Sequence, residues 1–95
     1  MSVKQDLVRS EVCEALDACI ELGSWKDTVL RIDVQHAVLK HMGIDPLDAP
    51  SYGFIMPVIA EEMQLKYGVV VSQLKADNGS RRRGYRKIKL TRKGI

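Results

Sequence analysis

Aromatic side chains are scarce in this chain. One Trp, three Tyr and one Phe stand among 95 residues. With the apolar fraction at 45%, too high for a disordered segment, a core must be built mostly from Val, Ile, Leu and Met. Cysteine is nearly absent too. Cys13 and Cys19 are six apart, which fits neither a C-x-x-C redox motif nor a zinc knuckle. On a helix they would lie roughly 120° apart, too far to bridge. The expectation is a buried Cys19, a reduced Cys13 thiol near the surface and a cytoplasmic protein. No stretch approaches the roughly 20 apolar residues of a membrane span, and the charged start at 1–10 does not read as a signal peptide.

Catalytic signatures are missing as well. There is no G-x-x-x-x-G-K-[ST] loop and no H-E-x-x-H pair. His36 and His41, five apart, are poorly aligned for one metal and read as surface or core histidines. No enzyme, cofactor or metal is called for.

Acids are lacking in one region above all. Residues 75–95 hold nine cations, Lys75, Arg81, Arg82, Arg83, Arg86, Lys87, Lys89, Arg92 and Lys93, against the single acid Asp77. Their balance is +8, while residues 1–74 carry six cations and eleven acids, a balance of −5. A concentrated basic segment on an acidic domain is the footprint of a polyanion-binding surface, with nucleic acid the first candidate.

Ninety-five residues make one small domain. The spacing of Val8, Val12, Ala15, Leu16, Cys19 and Leu22 predicts a first helix over 4–22, stopped by Gly23. Its acids, among them Glu11, Glu14, Asp17 and Glu21, read as a solvated face. A short strand follows over 28–32, and Trp25 before it is expected to plug the core. Asp33 should cap a second helix over 34–42 that ends at Gly43. The segment 45–50 holds two prolines and two aspartates and reads as a turn. A third helix is expected over 52–66, capped by Ser51 and stopped by Gly68. Phe54, Ile55, Val58, Ile59 and Met63 would form its buried stripe, with Tyr67 a candidate to extend it. Pro57 either kinks it or marks its true first turn. Gln64 and Lys66 face outward as candidate contacts, and Glu61 and Glu62 beside them read as a solvated patch.

Two strands, 69–75 and 85–90, flank the turn signal at Asn78-Gly79. Alternation along the second should place Ile88 and Leu90 on one face and Tyr85, Lys87 and Lys89 on the other. Tyr85 has two readings, stacking on a base or sugar and packing against its own hairpin. The tip, 78–84, would carry Arg81, Arg82 and Arg83 as a loop. Three adjacent arginines without local acids repel one another unless an anion joins them.

Helix, strand, helix, helix, strand, basic loop, strand is the order of a winged helix-turn-helix: an α+β fold of three helices, a small antiparallel sheet and a basic β-hairpin wing. The expectation is a single winged-helix domain over 1–95, with the wing at 69–90 and a basic tail at 91–95. The stretch Gly79-Ser80-Arg81-Arg82-Arg83-Gly84-Tyr85-Arg86-Lys87-Ile88-Lys89-Leu90 resembles the wing of the C-terminal winged-helix domain of phage and viral primase-helicases. There, a polar Arg-rich loop leads into Arg-Gly-Tyr-x-Gly-Ile-x-Leu. Arg83-Gly84-Tyr85 and Ile88-x-Leu90 match, while Lys87 stands where that family has glycine. Upstream, Phe54-x3-Val58 followed by Lys66-Tyr67-Gly68-Val69 loosely follows that family's helix-then-strand pattern, so the resemblance spans roughly 51–90. It implies a free-standing DNA-binding domain, encoded by a phage or other mobile element, that acts in transcription control or replication. The helicase core is absent, so no ATPase activity is implied. The expected partner is duplex DNA, held through Arg81, Arg82, Arg83, Tyr85, Arg86, Lys87 and Lys89 with Gln64 and Lys66 on helix 3. The rivals are RNA and an acidic protein, as for a phage-encoded inhibitor of a host enzyme.

Overall fold

A computed structural model describes residues 3–75 and 81–92, with side chains over 8–74 and 81–92. The protein is α+β. Its elements run α1 (Val3–Cys19), β1 (Ile20–Leu22), β2 (Thr28–Leu30), α2 (Arg31–His41), a 3-10 segment (Pro46–Ile55), α3 (Met56–Tyr67), β3 (Ser72–Lys75), β4 (Arg81–Arg86) and β5 (Ile88–Leu90). Among the described residues two small antiparallel sheets form, β1 with β5, and β2-β4-β3 with β4 in the middle. No helix among the described residues is long and apolar enough to cross a membrane.

The first helix stops three residues short of the expected Leu22. Its apolar spacing carries on through Ile20 and Leu22, but the last carbonyls find partners from far along the chain. Tyr67 Oη donates to Leu16 O and Ile20 O (3.2 and 3.3 Å), Thr91 Oγ1 to Ala18 O (2.5 Å) and Thr91 N to Cys19 O (2.8 Å). These groups take the place of the next helical turn, and Ile20–Leu22 pairs with β5 instead. Leu22 thereby leaves the core and lies exposed.

The second helix begins at Arg31, with Leu30 at the cap position and no side-chain cap bond, so Asp33 sits inside the first turn rather than capping it. Gly43, at φ 80°, ends it as expected, and Ile44 N returns to Leu39 O at 2.8 Å. The Pro-rich segment forms 3-10 helix with a kink at Tyr52. Asp45 starts it by accepting from Leu47 N at 2.9 Å, and the missing amide of Pro46 costs nothing at a first position. α3 begins at Met56, so Ser51 is not its cap and Pro57 lies in its first turn. Gly68, φ 67°, closes it. Phe54 falls outside α3 and is exposed.

The core joins α1 (Val12, Ala15, Leu16, Cys19), α2 (Val34, Ala37, Val38, Leu39), Ile59 and Met63 of α3, and Tyr85 and Ile88 from the strands. Val69 and Val71 pack on it without joining a strand. Tyr85 is 1% exposed, against its expected place beside Lys87 and Lys89. Residues 85 and 88 would face opposite ways on one continuous strand. They share the core because Lys87, at φ 68°, breaks the strand between β4 and β5 and resets the alternation. The hairpin therefore pairs 72–75 with 81–84, while β5 pairs with β1.

Candidate nucleic-acid interface

The basic run is a strand rather than a loop. Arg81, Arg82 and Arg83 pair with Lys75, Leu74 and Gln73 of β3, and Gly84, Tyr85 and Arg86 pair with Leu30, Val29 and Thr28 of β2. The two registers meet at Gly84: residues 84–86 pair with β2 over the core, and residues 81–83 form a two-stranded ribbon with β3. The tip residues Asn78, Gly79 and Ser80 lie outside the described residues. Side chains alternate along a strand, so Arg82 leaves one face of the ribbon and Arg81 and Arg83 the other. All three are exposed.

Gly84 is what lets β4 sit this close. A Cβ there would fall 2.6 Å from Val29 O, 2.5 Å from Leu74 Cδ1 and 3.1 Å from Leu30 Cα. The chain then passes from ribbon to core in two residues, and the arginines are anchored by the buried Tyr85.

Beside the ribbon, the start of α2 completes an open cleft lined by Leu30, Arg31, Ile32, Arg81, Arg82 and Arg83. Arg31 was not anticipated from the sequence, because only the β2–β4 pairing brings it to the basic strand. Among the described residues no acid comes within ion-pair distance of Arg81, Arg82, Arg83 or Arg86; Arg86 Nη2 donates to Gln73 O at 3.4 Å. Lys87 is exposed. Lys89 is exposed but lies 3.5 Å from Glu21.

The other expected contacts divide. Tyr85 is removed from the interface by burial, which also pushes its hydroxyl up from the ordinary value. Gln64 is exposed on α3. Lys66 is held 2.6 Å from Asp17, an ion pair that raises the ammonium above its ordinary value. Neither is joined to the ribbon.

Glu62 is no solvated patch. It is 6% exposed, and both its oxygens are used. Arg9 Nη1 donates to Oε1 at 2.5 Å and Cys13 Sγ donates to Oε2 at 2.9 Å. Arg9 also reaches Glu61 at 3.2 Å. The Cys13 thiol and the Arg9 guanidinium hold the Glu62 carboxyl below its ordinary range, against burial, which acts the other way. Burial and the Glu62 hydrogen bond push the Cys13 thiol up, so it stays protonated and is a poor nucleophile. The cluster fastens α1 to α3. Among the described residues no three His, Cys, Asp or Glu side chains converge to hold a metal ion.

Trp25 is 74% exposed rather than a core plug. Its neighbours Gly23, Ser24 and Asp27 are turn residues, and that turn signal marked it as a loop side chain. No family model, curated protein or solved structure matches the chain.

Proposed function

We propose that the protein is a winged-helix DNA-binding domain that docks through the β4 ribbon. The observation that carries this reading is Arg81, Arg82 and Arg83 in succession on an exposed strand, lining one cleft with Arg31 and with no described acid to neutralise them. Like charges held this close repel, and phosphates relieve the repulsion while releasing counterions from the nucleic acid. The order of helix, strand, helix, helix and hairpin supports a winged helix, with the ribbon as the wing. So does the place of Lys87. It is the departure from the primase-helicase wing pattern, where glycine is usual, and among the described residues it is the non-glycine residue with positive φ. Backbone of this kind favours glycine.

The ribbon makes the larger contribution in this reading, and α3 a smaller one. Lys66 is already paired, and Glu61 stands exposed on the same helix, where it would face phosphate unfavourably. RNA would meet the same arginines. The protein-partner alternative leans on the acidic face of α1 and on Glu61 and Glu62, of which Glu62 is buried and satisfied.

The test is binding of a random duplex across a salt series by the parent and by Arg81→Ala/Arg82→Ala/Arg83→Ala. Three lost phosphate contacts should shrink the log–log salt slope by about 2.7, at ~0.9 per contact, with most affinity lost. Far-UV circular dichroism should be unchanged, since none of the three fills the core. A folded triple variant that binds like the parent overturns the reading.

A further inference from the structure

Trp25 is the one tryptophan of the chain, and the fold holds it in water. Leaving so large an apolar side chain exposed forfeits roughly 2 kcal/mol or more of burial. The turn that carries it is nevertheless tightly built. Ser24 N and Oγ donate to Asp27 Oδ2 at 2.7 and 3.2 Å, and Asp27 N donates back to Ser24 O at 3.0 Å. The same turn is fastened to the basic strand. Gly23 N donates to Lys87 O and Lys87 N donates to Asp27 O, both at 2.8 Å. The unusual backbone of Lys87 is what presents both groups to the turn. Lys26 Nζ lies 5.5 Å from the indole centroid.

An exposed aromatic ring, with Lys26 beside it, is therefore carried on a turn bonded to the backbone of Lys87 at one end of β4, with Arg81, Arg82 and Arg83 at the other end. From Arg82 to Lys87 is about 16 Å at ~3.3 Å per strand residue. A row of cations for phosphates ending at an aromatic face is the pairing by which proteins hold unpaired bases, since every base has a π face. A blunt duplex offers phosphates to the cations but keeps its bases stacked inside, out of reach of the ring.

We propose that Trp25 is a stacking platform for an unpaired nucleobase, and that the ligand of the β4 surface is a nucleic acid with a single-stranded segment. The proposal rests on the nucleic-acid reading above and narrows it. The strand runs along β4 with its phosphates on the arginines, and one base leaves the backbone to lie on the indole.

With one tryptophan in the chain, fluorescence reports the site directly. The full chain is titrated with single-stranded oligothymidylate of about ten nucleotides and with heparin, and Trp25→Ala and Trp25→Phe are compared on labelled single strand and blunt duplex. The expected result is quenching by the oligonucleotide and not by heparin. Trp25→Ala should weaken single-strand binding roughly tenfold or more, leave blunt-duplex binding unchanged, and be partly rescued in Trp25→Phe. Single-strand binding without quenching, or equal loss on both ligands, overturns the proposal. An indole that stays unquenched while nucleic acid binds is assigned to a protein contact instead. A parent that binds no nucleic acid refutes the underlying reading as well, whereas nucleic-acid binding by the parent with a Trp25→Ala that is neutral on the single strand refutes the stacking alone.

Discussion

Replacing Gly84 by alanine tests the packing that positions the basic strand. The added Cβ would meet three groups at once: Leu74 Cδ1 at 2.5 Å, Val29 O at 2.6 Å and Leu30 Cα at 3.1 Å. Leu74 can rotate away. Val29 O and Leu30 Cα are backbone of β2, which is paired to β4 through Leu30↔Gly84. Ordinary contact needs about 3.5 Å, so β2 and β4 must part by close to 1 Å locally. Overpacking of this kind costs ~1–3 kcal/mol. Alanine also stiffens the unfolded chain, which returns ~0.4–1 kcal/mol only where the native backbone accepts it. The net expectation is a loss of about 1–2 kcal/mol, or roughly 5–15 °C in melting temperature for a domain of this size.

The assay is thermal unfolding by far-UV circular dichroism, with Gly53→Ala as control. A Cβ at Gly53 meets nothing within 4 Å, so that variant should melt at or slightly above the parent. If Gly84→Ala proves as stable as Gly53→Ala, the close approach of β2 to β4 is wrong, and so is the ribbon built on it.

Glu62→Gln should cost about 1–2 kcal/mol at neutral pH, through weakened bonds from Cys13 and Arg9. Because the folded carboxyl lies below its ordinary 4.5, its stabilisation is present above that pH and fades as pH falls through the folded value. Denaturant unfolding from pH 7 to 3 should show parent and variant converging in acid, and parallel profiles would refute the coupling. Lys87→Gly should relieve left-handed strain of ~1–2 kcal/mol against a glycine entropy cost of ~0.5–1 kcal/mol. It should melt at or above the parent, while Lys87→Ala, which keeps the strain, should not. A Lys87→Gly variant less stable than Lys87→Ala would contradict the backbone reading.

The local signals were legible where glycine and periodicity governed them. Gly43 and Gly68 end their helices as expected, and of the inward positions of α1 up to Cys19, Val12, Ala15, Leu16 and Cys19 are buried and Val8 partly so. Features set by distant partners were not legible. Nothing within 16–22 says that Tyr67 and Thr91 will take the carbonyls of α1, so the apolar period was followed too far. Glu62 reads as a surface acid until Arg9 and Cys13 arrive from α1. Tyr85 was misplaced because the period of two was carried across Lys87, whose φ resets it. The cations of the interface were visible in composition alone. That the arginines would lie on a paired strand, and that the turn of Trp25 would be tied to its far end, depended on how β4 pairs with β3 and β2 and on the bonds of Lys87 to Gly23 and Asp27.

That pairing also explains why an acidic domain can carry an effective basic surface. The described ion pairs join Arg9, Lys66 and Lys89 to acids on α1, α3 and β1, which leaves the ribbon arginines with their charge uncompensated. Glu11 and Glu14 gather instead around His41 and Met42, at the end of α2 opposite Arg31. Eleven residues of helix separate the two by about 16 Å at ~1.5 Å per residue. The Debye length is ~10 Å at 0.1 M salt. The acidic end is therefore screened from a phosphate on the ribbon under ordinary conditions and does not cancel the attraction. On the proposed reading, the two ends act together in low salt, one attracting a polyanion and the other repelling it, which would orient the ligand before contact.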